Sequence, residues 1–179
     1  MKFFQNRAVA LLIALVVVAA STLLAGRANL SKACAAQEEA FYTAAEGKAP
    51  VYYIDQLISA AASLSNALED AGRDDAAAEL RSARRELVQA EEARDIPAMY
   101  EACEGLYAAV DALGGFSSGD KTTQALWDDS LTVISGAKRQ LEQSTYNVYV
   151  TEYITAVYSR FPTSLFARLF GIDAPALFA

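Results

Sequence analysis

Histidine is absent from the chain, cysteine occurs only twice and proline only four times in 179 residues. Without an imidazole, and with thiols only at Cys34 and Cys103, conventional zinc, haem and copper sites and Ser/His or Cys/His nucleophile pairs are excluded. No catalytic residue, metal or cofactor is expected, and the chain is not expected to be an enzyme. Basic residues are also scarce, 15 against 22 acidic ones, for a net charge of −7. Phosphate backbones are bound by clustered Lys and Arg that release counterions, so nucleic acid is not an expected partner. The scarcity of proline has a structural consequence as well. The four stand at 50, 97, 162 and 175, leaving 51–96 and 98–161 free of the strongest helix breaker.

Residues 8–25, AVALLIALVVVAASTLLA, run for eighteen positions without a charge. At ~1.5 Å per residue this is about the length that crosses ~30 Å of hydrocarbon. Lys2 and Arg7 precede it, so residues 1–28 read as a membrane anchor or a secretory signal peptide. The stretch exceeds the usual apolar core of a signal of about 7 to 15 residues. Its best small-residue pair for cleavage, Gly26 and Ala28, encloses Arg27, and Arg27 also stands where a lipidated protein would need cysteine. A retained anchor, in contact with lipid through 8–25, is the favoured reading. Lys2, Arg7 and the terminal amine outweigh Arg27 and Lys32 by one charge, which leans the soluble part to the extracytoplasmic side of a single-pass protein. That part, 29–179, carries 12 basic and 22 acidic residues.

Beyond the anchor the apolar residues recur at helical spacing. One stripe is Leu30, Cys34, Phe41 and Ala45; a second is Leu57, Ala61, Leu64, Leu68 and Ala71; a third is Leu80, Ala83, Leu87 and Ala90. Met99, Cys103, Leu106, Val110 and Leu113 form a fourth, opened by Asp95 as N-cap with Pro97 in the first turn. The expected fold is all-α, an antiparallel bundle of about four helices after the N-terminal transmembrane helix. The second and third stripes differ in phase around Gly72, which predicts a break or bend there. The glycine- and serine-rich run from Leu113 to Asp120 predicts a loop. Trp127, Ile134, Leu141 and Val148 then repeat every seven residues, with Ser130, Ala137, Ser144 and Thr151 on the adjoining line, a coiled-coil-like spacing in which large beside small lets facing helices approach closely.

The C-terminal run carries a more specific pattern. Tyr146-Asn147, Val150 and Tyr153 are followed by Arg160-Phe161-Pro162, Leu169-Phe170-Gly171 and Ala174-Pro175-Ala176-Leu177-Phe178. This resembles the close of LemA family proteins, a Tyr-Asn helix followed by Phe-Pro, a Leu-Phe-Gly turn and a Pro-aromatic tail. Glu39-Ala40-Phe41 and Asp55-Gln56-Leu57 are similar to the family's earlier landmarks. Tyr153-Ile154 replaces its second Tyr-Asn, and Glu142 to Thr145 replaces a basic run, as in a divergent member. The resemblance implies a membrane-anchored helical bundle of bacterial origin, with no catalytic residues to transfer. The family-like packing or interaction residues are Tyr146, Asn147, Tyr153, Phe161, Pro162, Leu169, Phe170 and Gly171.

Each candidate feature has a plainer reading. Tyr146, Asn147 and Tyr153 suit a polar ligand between apolar walls, but helix packing with phenol and amide satisfied at a bundle edge is the favoured expectation. Cys34 and Cys103 lie on apolar stripes and read as core thiols, or, in an oxidising compartment, as a disulfide between the first helix and the helix after Pro97. The acidic pairs Asp74-Asp75, Glu91-Glu92 and Asp128-Asp129 read as solvated faces, since neighbours on a helix diverge by ~100°. The tail from Phe161 to Phe178 is expected to fold back as a short helix begun by Pro162 and to close one end of the bundle. Otherwise it would lie at the membrane surface or receive a partner. The resulting expectation is a scaffold or docking module with a protein partner or self-association. The alternative is a secreted acidic helical protein that binds a small ligand or acts as a carboxylate-based hydrolase after removal of 1–28.

Overall fold

A computed structural model describes residues 7–43, 47–115 and 120–179, with side chains from residue 9 onward. Lys2, Ala45 and residues 116–119 of the glycine-serine run lie outside the described residues, as does the side chain of Arg7. The described residues form seven α-helices and no strand, the all-α class expected. They are α1 (Arg7–Tyr42), α2 (Pro50–Asp70), α3 (Asp74–Glu92), α4 (Ile96–Ala112), α5 (Lys121–Glu142), α6 (Tyr146–Tyr158) and α7 (Thr163–Phe170). The chain divides into two compact units, one of Met1–Glu38 with Glu152–Pro175, the other of Glu39–Thr151 with Ala176–Ala179. A boundary at residue 28 falls inside α1.

The larger unit holds the bundle. Helix α2 packs against α3 and α5, and α3 against α4. The connections at 71–73 and 93–95 are three residues long, which forces consecutive helices to run antiparallel. Leu57, Ala61, Leu64 and Leu68 are fully buried on α2, with Leu80 and Leu87 on α3 and Met99, Cys103 and Leu106 on α4. These are the large members of the expected apolar stripes; Ala71, at the end of the second, is exposed, and Ala83 and Val110 are half-buried. Where α5 meets α2 the large side chains Trp127 and Ile134 alternate with the small Ser130 and Ala137, all buried. The Ser130 hydroxyl donates to the Leu126 carbonyl one turn earlier at 2.7 Å, so its burial leaves no bond unmade.

Capping explains where the helices stop. Gly72 adopts φ +71°, and the amides of Gly72 and Arg73 donate to the carbonyls of Glu69 and Leu68, the paired bonds of a Schellman turn. This is the break expected at Gly72. Helix α3 ends in the same motif, but with Arg94 in the left-handed position at φ 54°. The Arg94 side chain compensates, lying 3.9 Å over the Tyr42 ring and 2.6 Å from a Glu39 carboxylate oxygen. Asp95 then caps α4 by accepting from the Ala98 amide at 3.0 Å.

The heptad positions from Trp127 to Thr151 span two helices. Helix α5 ends at Glu142 and α6 starts at Tyr146, where the Ser144 hydroxyl accepts from the Tyr146 amide at 3.3 Å. The interruption shifts the phase. Leu141 is the last buried member of the sevens; Val148 and Thr151 are exposed, and Tyr146 and Val150 are buried in their place.

In the smaller unit, α1 carries the apolar stretch. It is long and apolar enough to cross a membrane, and positions 10–22 are all exposed. Farther along, Leu23 and Leu30 are half-buried and Cys34 is buried, on one face. Helix α7 ends at Gly171, whose left-handed φ of 58° closes a third Schellman turn.

Candidate functional site

The Tyr-Asn pair opens α6 and meets the end of the chain. A primary amide carries one acceptor and one donor face, as a peptide unit does. Asn147 uses both on a single residue: its Nδ2 donates to the Phe178 carbonyl at 2.7 Å and its Oδ1 accepts from the Phe178 amide at 2.9 Å. Two residues earlier on the tail, the Ala176 carbonyl accepts from the Tyr146 hydroxyl at 2.7 Å. The clamp holds residues 176–178 by their main chain, as a neighbouring strand would.

The walls are aromatic. Phe178 lies with its ring centroid 5.3 Å from Phe41 and 5.3 Å edge-to-face from Tyr100, while Tyr146 meets Phe41 edge-on at 5.1 Å. Tyr146 and Phe41 are buried. The packing expected of Tyr146 and Asn147 is therefore found, with the tail's backbone as the satisfying partner.

The remaining family-like residues lie in the smaller unit. There the Tyr158 hydroxyl donates to the Asp173 carbonyl at 2.7 Å, and the Cys34 thiol donates to the same oxygen at 3.3 Å. Tyr153 packs on Tyr158 at 6.4 Å between centroids, but its buried hydroxyl has no hydrogen-bond partner among the described residues. Burial holds both phenols above the usual tyrosine range.

The expectation that Phe161, Leu165, Phe166, Leu169 and Phe170 close the bundle is corrected. Phe161 is 83% exposed, Leu169 65% and Leu165 55%, and of α7 only Ala167 is buried. Pro162 precedes α7, and Phe170 is half-buried, stacked on Phe166 at 6.3 Å. Gly171 ends α7 in a left-handed turn, and the residues that pack with the bundle's own unit are those farther on, Ala176 to Phe178.

The disulfide considered between Cys34 and Cys103 is not formed; both thiols are free and buried. Cys34 is engaged with Asp173, and Cys103 sits on the core side of α4, where burial first and Glu104 second push its thiol up to about 12.

Two features escaped the sequence reading. A groove of about 390 Å³ runs between α2 and α5, lined by Tyr52, Gln56, Ser59, Leu126, Asp129 and Val133 among others. Beside it Asp55, also in the lining, acts electrostatically on Glu91 of α3. Desolvation first, then the neighbouring Asp55 carboxyl and the charge of Glu92, raise the Glu91 carboxyl to about 7. The carboxylate that matters to Glu91 is thus across the helix interface, 36 positions away in sequence, more than its neighbour Glu92. Among the described residues no cluster of three or more Cys, Asp or Glu is arranged to hold a metal ion.

Against known proteins, the chain matches no family model, no curated protein and no solved structure.

Proposed function

We propose that the protein is a single-pass membrane protein held by residues 8–25, whose helical bundle docks a protein partner or a second copy. The observation that carries this reading is the continuity of α1. One 36-residue helix begins in an apolar stretch exposed at positions 10–22 and carries Phe41, a fully buried residue of the bundle, in its last turn. An exposed apolar surface of that length is stable in hydrocarbon and not in water. Cleavage near residue 28 would divide this helix, which favours a retained anchor. The resemblance to the LemA family supports the same reading. For docking, the groove between α2 and α5 offers the exposed side chains Tyr52, Leu126 and Val133 beside the acidic Asp55 and Asp129. The bundle is assigned to the extracytoplasmic side.

Intact-mass analysis of membrane-extracted protein tests the anchor: a chain that retains residues 1–28 supports it, and a chain beginning beyond them refutes it. A photo-crosslinking residue at Val133 tests the docking face, and should give one discrete adduct with a partner or second copy that is absent with the same residue at exposed Glu79. Equal adducts at both positions, or none at Val133, refute docking at the groove. Side is tested with Ser118→Cys in intact cells. Labelling by a membrane-impermeant maleimide supports the assignment, and labelling only after lysis reverses it.

A further inference from the structure

Helix α7 and the turn before it leave a cluster of large apolar side chains uncovered outside the apolar stretch of α1. Phe161, Leu165, Phe166 and Leu169 are all exposed. The charge around them is as unusual. From Tyr153 to Ile172 there is no acidic residue in twenty positions, in a chain with 22 acids, and the basic residues Arg160 and Arg168 are both exposed.

The smaller unit also indicates where this surface lies along α1. Tyr158 and Asp173 are bonded to each other, and Cys34 is bonded to Asp173, so the chain departs from the level of Cys34 after Tyr158 and returns to it at Asp173. Fourteen residues, 159–172, make that excursion. On α1 the covered face continues from Cys34 back through Leu30 to Leu23, and the only other segment in this unit is Glu152–Pro175. The excursion therefore runs toward the N-terminal side of Cys34. Cys34 to Leu23 is about 16 Å of helix, and the eight residues of α7 are about 12 Å long, so helix and turn together match the distance. Leu23 lies within the apolar stretch 8–25.

We infer that the segment 159–172 is a membrane-surface foot: Phe161, Leu165, Phe166 and Leu169 enter the interfacial layer of the bilayer that α1 crosses, and Arg160 and Arg168 contact anionic lipid headgroups. This is the composition that binds a bilayer surface, an amphipathic helix with aromatic and aliphatic residues on one side and arginine at its margins. The inference rests on the reading of α1 as a membrane anchor.

The test uses the full chain in nanodiscs containing anionic phosphatidylglycerol. In a Trp127→Phe background three single-tryptophan variants are compared, Leu15→Trp in the anchor, Leu165→Trp in the foot and Leu126→Trp on the bundle, with lipids brominated at a deep or a shallow acyl position. Leu15→Trp should be quenched by the deep label, Leu165→Trp by about twofold with the shallow label, and Leu126→Trp by neither. Adding Arg160→Gln and Arg168→Gln should reduce the shallow quenching, and replacing the anionic lipid with a zwitterionic one should do the same. Unquenched Leu15→Trp overturns the anchor, and the foot with it. A quenched Leu15→Trp beside an unquenched, red-emitting Leu165→Trp overturns the foot alone. A blue-shifted but unquenched Leu165→Trp also overturns it, in favour of a protein covering the same face.

Discussion

Replacing Asn147 by Ala should release the end of the chain without unfolding the bundle, and the reason is a near balance of magnitudes. Ordering the backbone of residues 176–179 costs about 1–2 kcal/mol per residue, so ~4–8 kcal/mol in all. Against this stand two hydrogen bonds from Asn147 and one from Tyr146. Each is worth about 0.5–1.5 kcal/mol net. The half-buried rings and aliphatic groups of Phe178 and Leu177 add about 1–2 kcal/mol apiece. Gains and cost nearly cancel, so the docked tail is held by a small margin and loss of about 2 kcal/mol tips it toward the free state. Hydrogen exchange measured on the C-terminal peptide of the full chain in micelles should show the Phe178 amide slowed in the parent and exchanging at nearly the free rate in Asn147→Ala. The melting temperature should fall only by a few degrees, because the loss is capped by the net docking energy. Asn147→Asp is the sharper variant. It retains an acceptor for the Phe178 amide but places a second acceptor 2.7 Å from the Phe178 carbonyl, so it should release the tail at neutral pH and recapture it when the new acid is protonated. Unchanged protection of the Phe178 amide in both variants would refute the clamp.

Tyr153→Phe, which removes an unpaired buried hydroxyl, should leave the melting temperature unchanged or slightly raised, whereas Tyr158→Phe, which deletes the bond to Asp173, should cost about 1 kcal/mol; the opposite order would be inconsistent with the packing described. Because folding raises the Glu91 carboxyl from 4.5 to about 7, the folded chain keeps a proton that the unfolded chain has released, and stability contributed by this group is lost as pH rises from 4.5 to 7. Glu91 is only partly buried, so the loss is on the order of 1 kcal/mol after screening, and denaturant titrations should show a flatter pH dependence in Asp55→Asn; identical slopes would uncouple the pair. Cys34 and Cys103 should both resist maleimide in the native chain and both react in denaturant, and rapid native labelling of Cys103 would contradict its burial.

The bundle was legible in the sequence because burial imposes a period. Leu57 to Leu68, Leu80 to Leu87, and Met99 to Leu106 all repeat at helical spacing, and Asp95 and Gly72 are start and stop signals with local causes. The sevens from Trp127 hold as core positions only to Leu141, because the sequence spacing runs on through the break at 143–145 while the buried face does not. Ser144 and Thr145 were the local sign, short hydroxyl residues that compete for backbone amides and favour helix starts. The tail's amphipathic character was equally legible, but periodicity shows that a face is apolar and not what covers it. The clamp was beyond reach for another reason. Asn147 and Phe178 are 31 residues apart, Asp55 and Glu91 are 36 apart, and neither partner's local pattern names the other.

Because Asn147 and Tyr146 bind main-chain atoms, the clamp makes little demand on the side chain it holds at position 176. Almost any residue presents the same carbonyl there, and only proline would remove the amide that Asn147 needs at position 178. Mutational tolerance along the tail should therefore be uneven: wide at 176, narrow at 178, where an aromatic ring is wanted between Phe41 and Tyr100, and narrowest at 147, where no other side chain of that reach offers both a donor and an acceptor. A saturation library scored for tail protection would record this as a pattern of freedom and constraint within four residues. In descent, such a tail can drift in composition while its attachment stays the same.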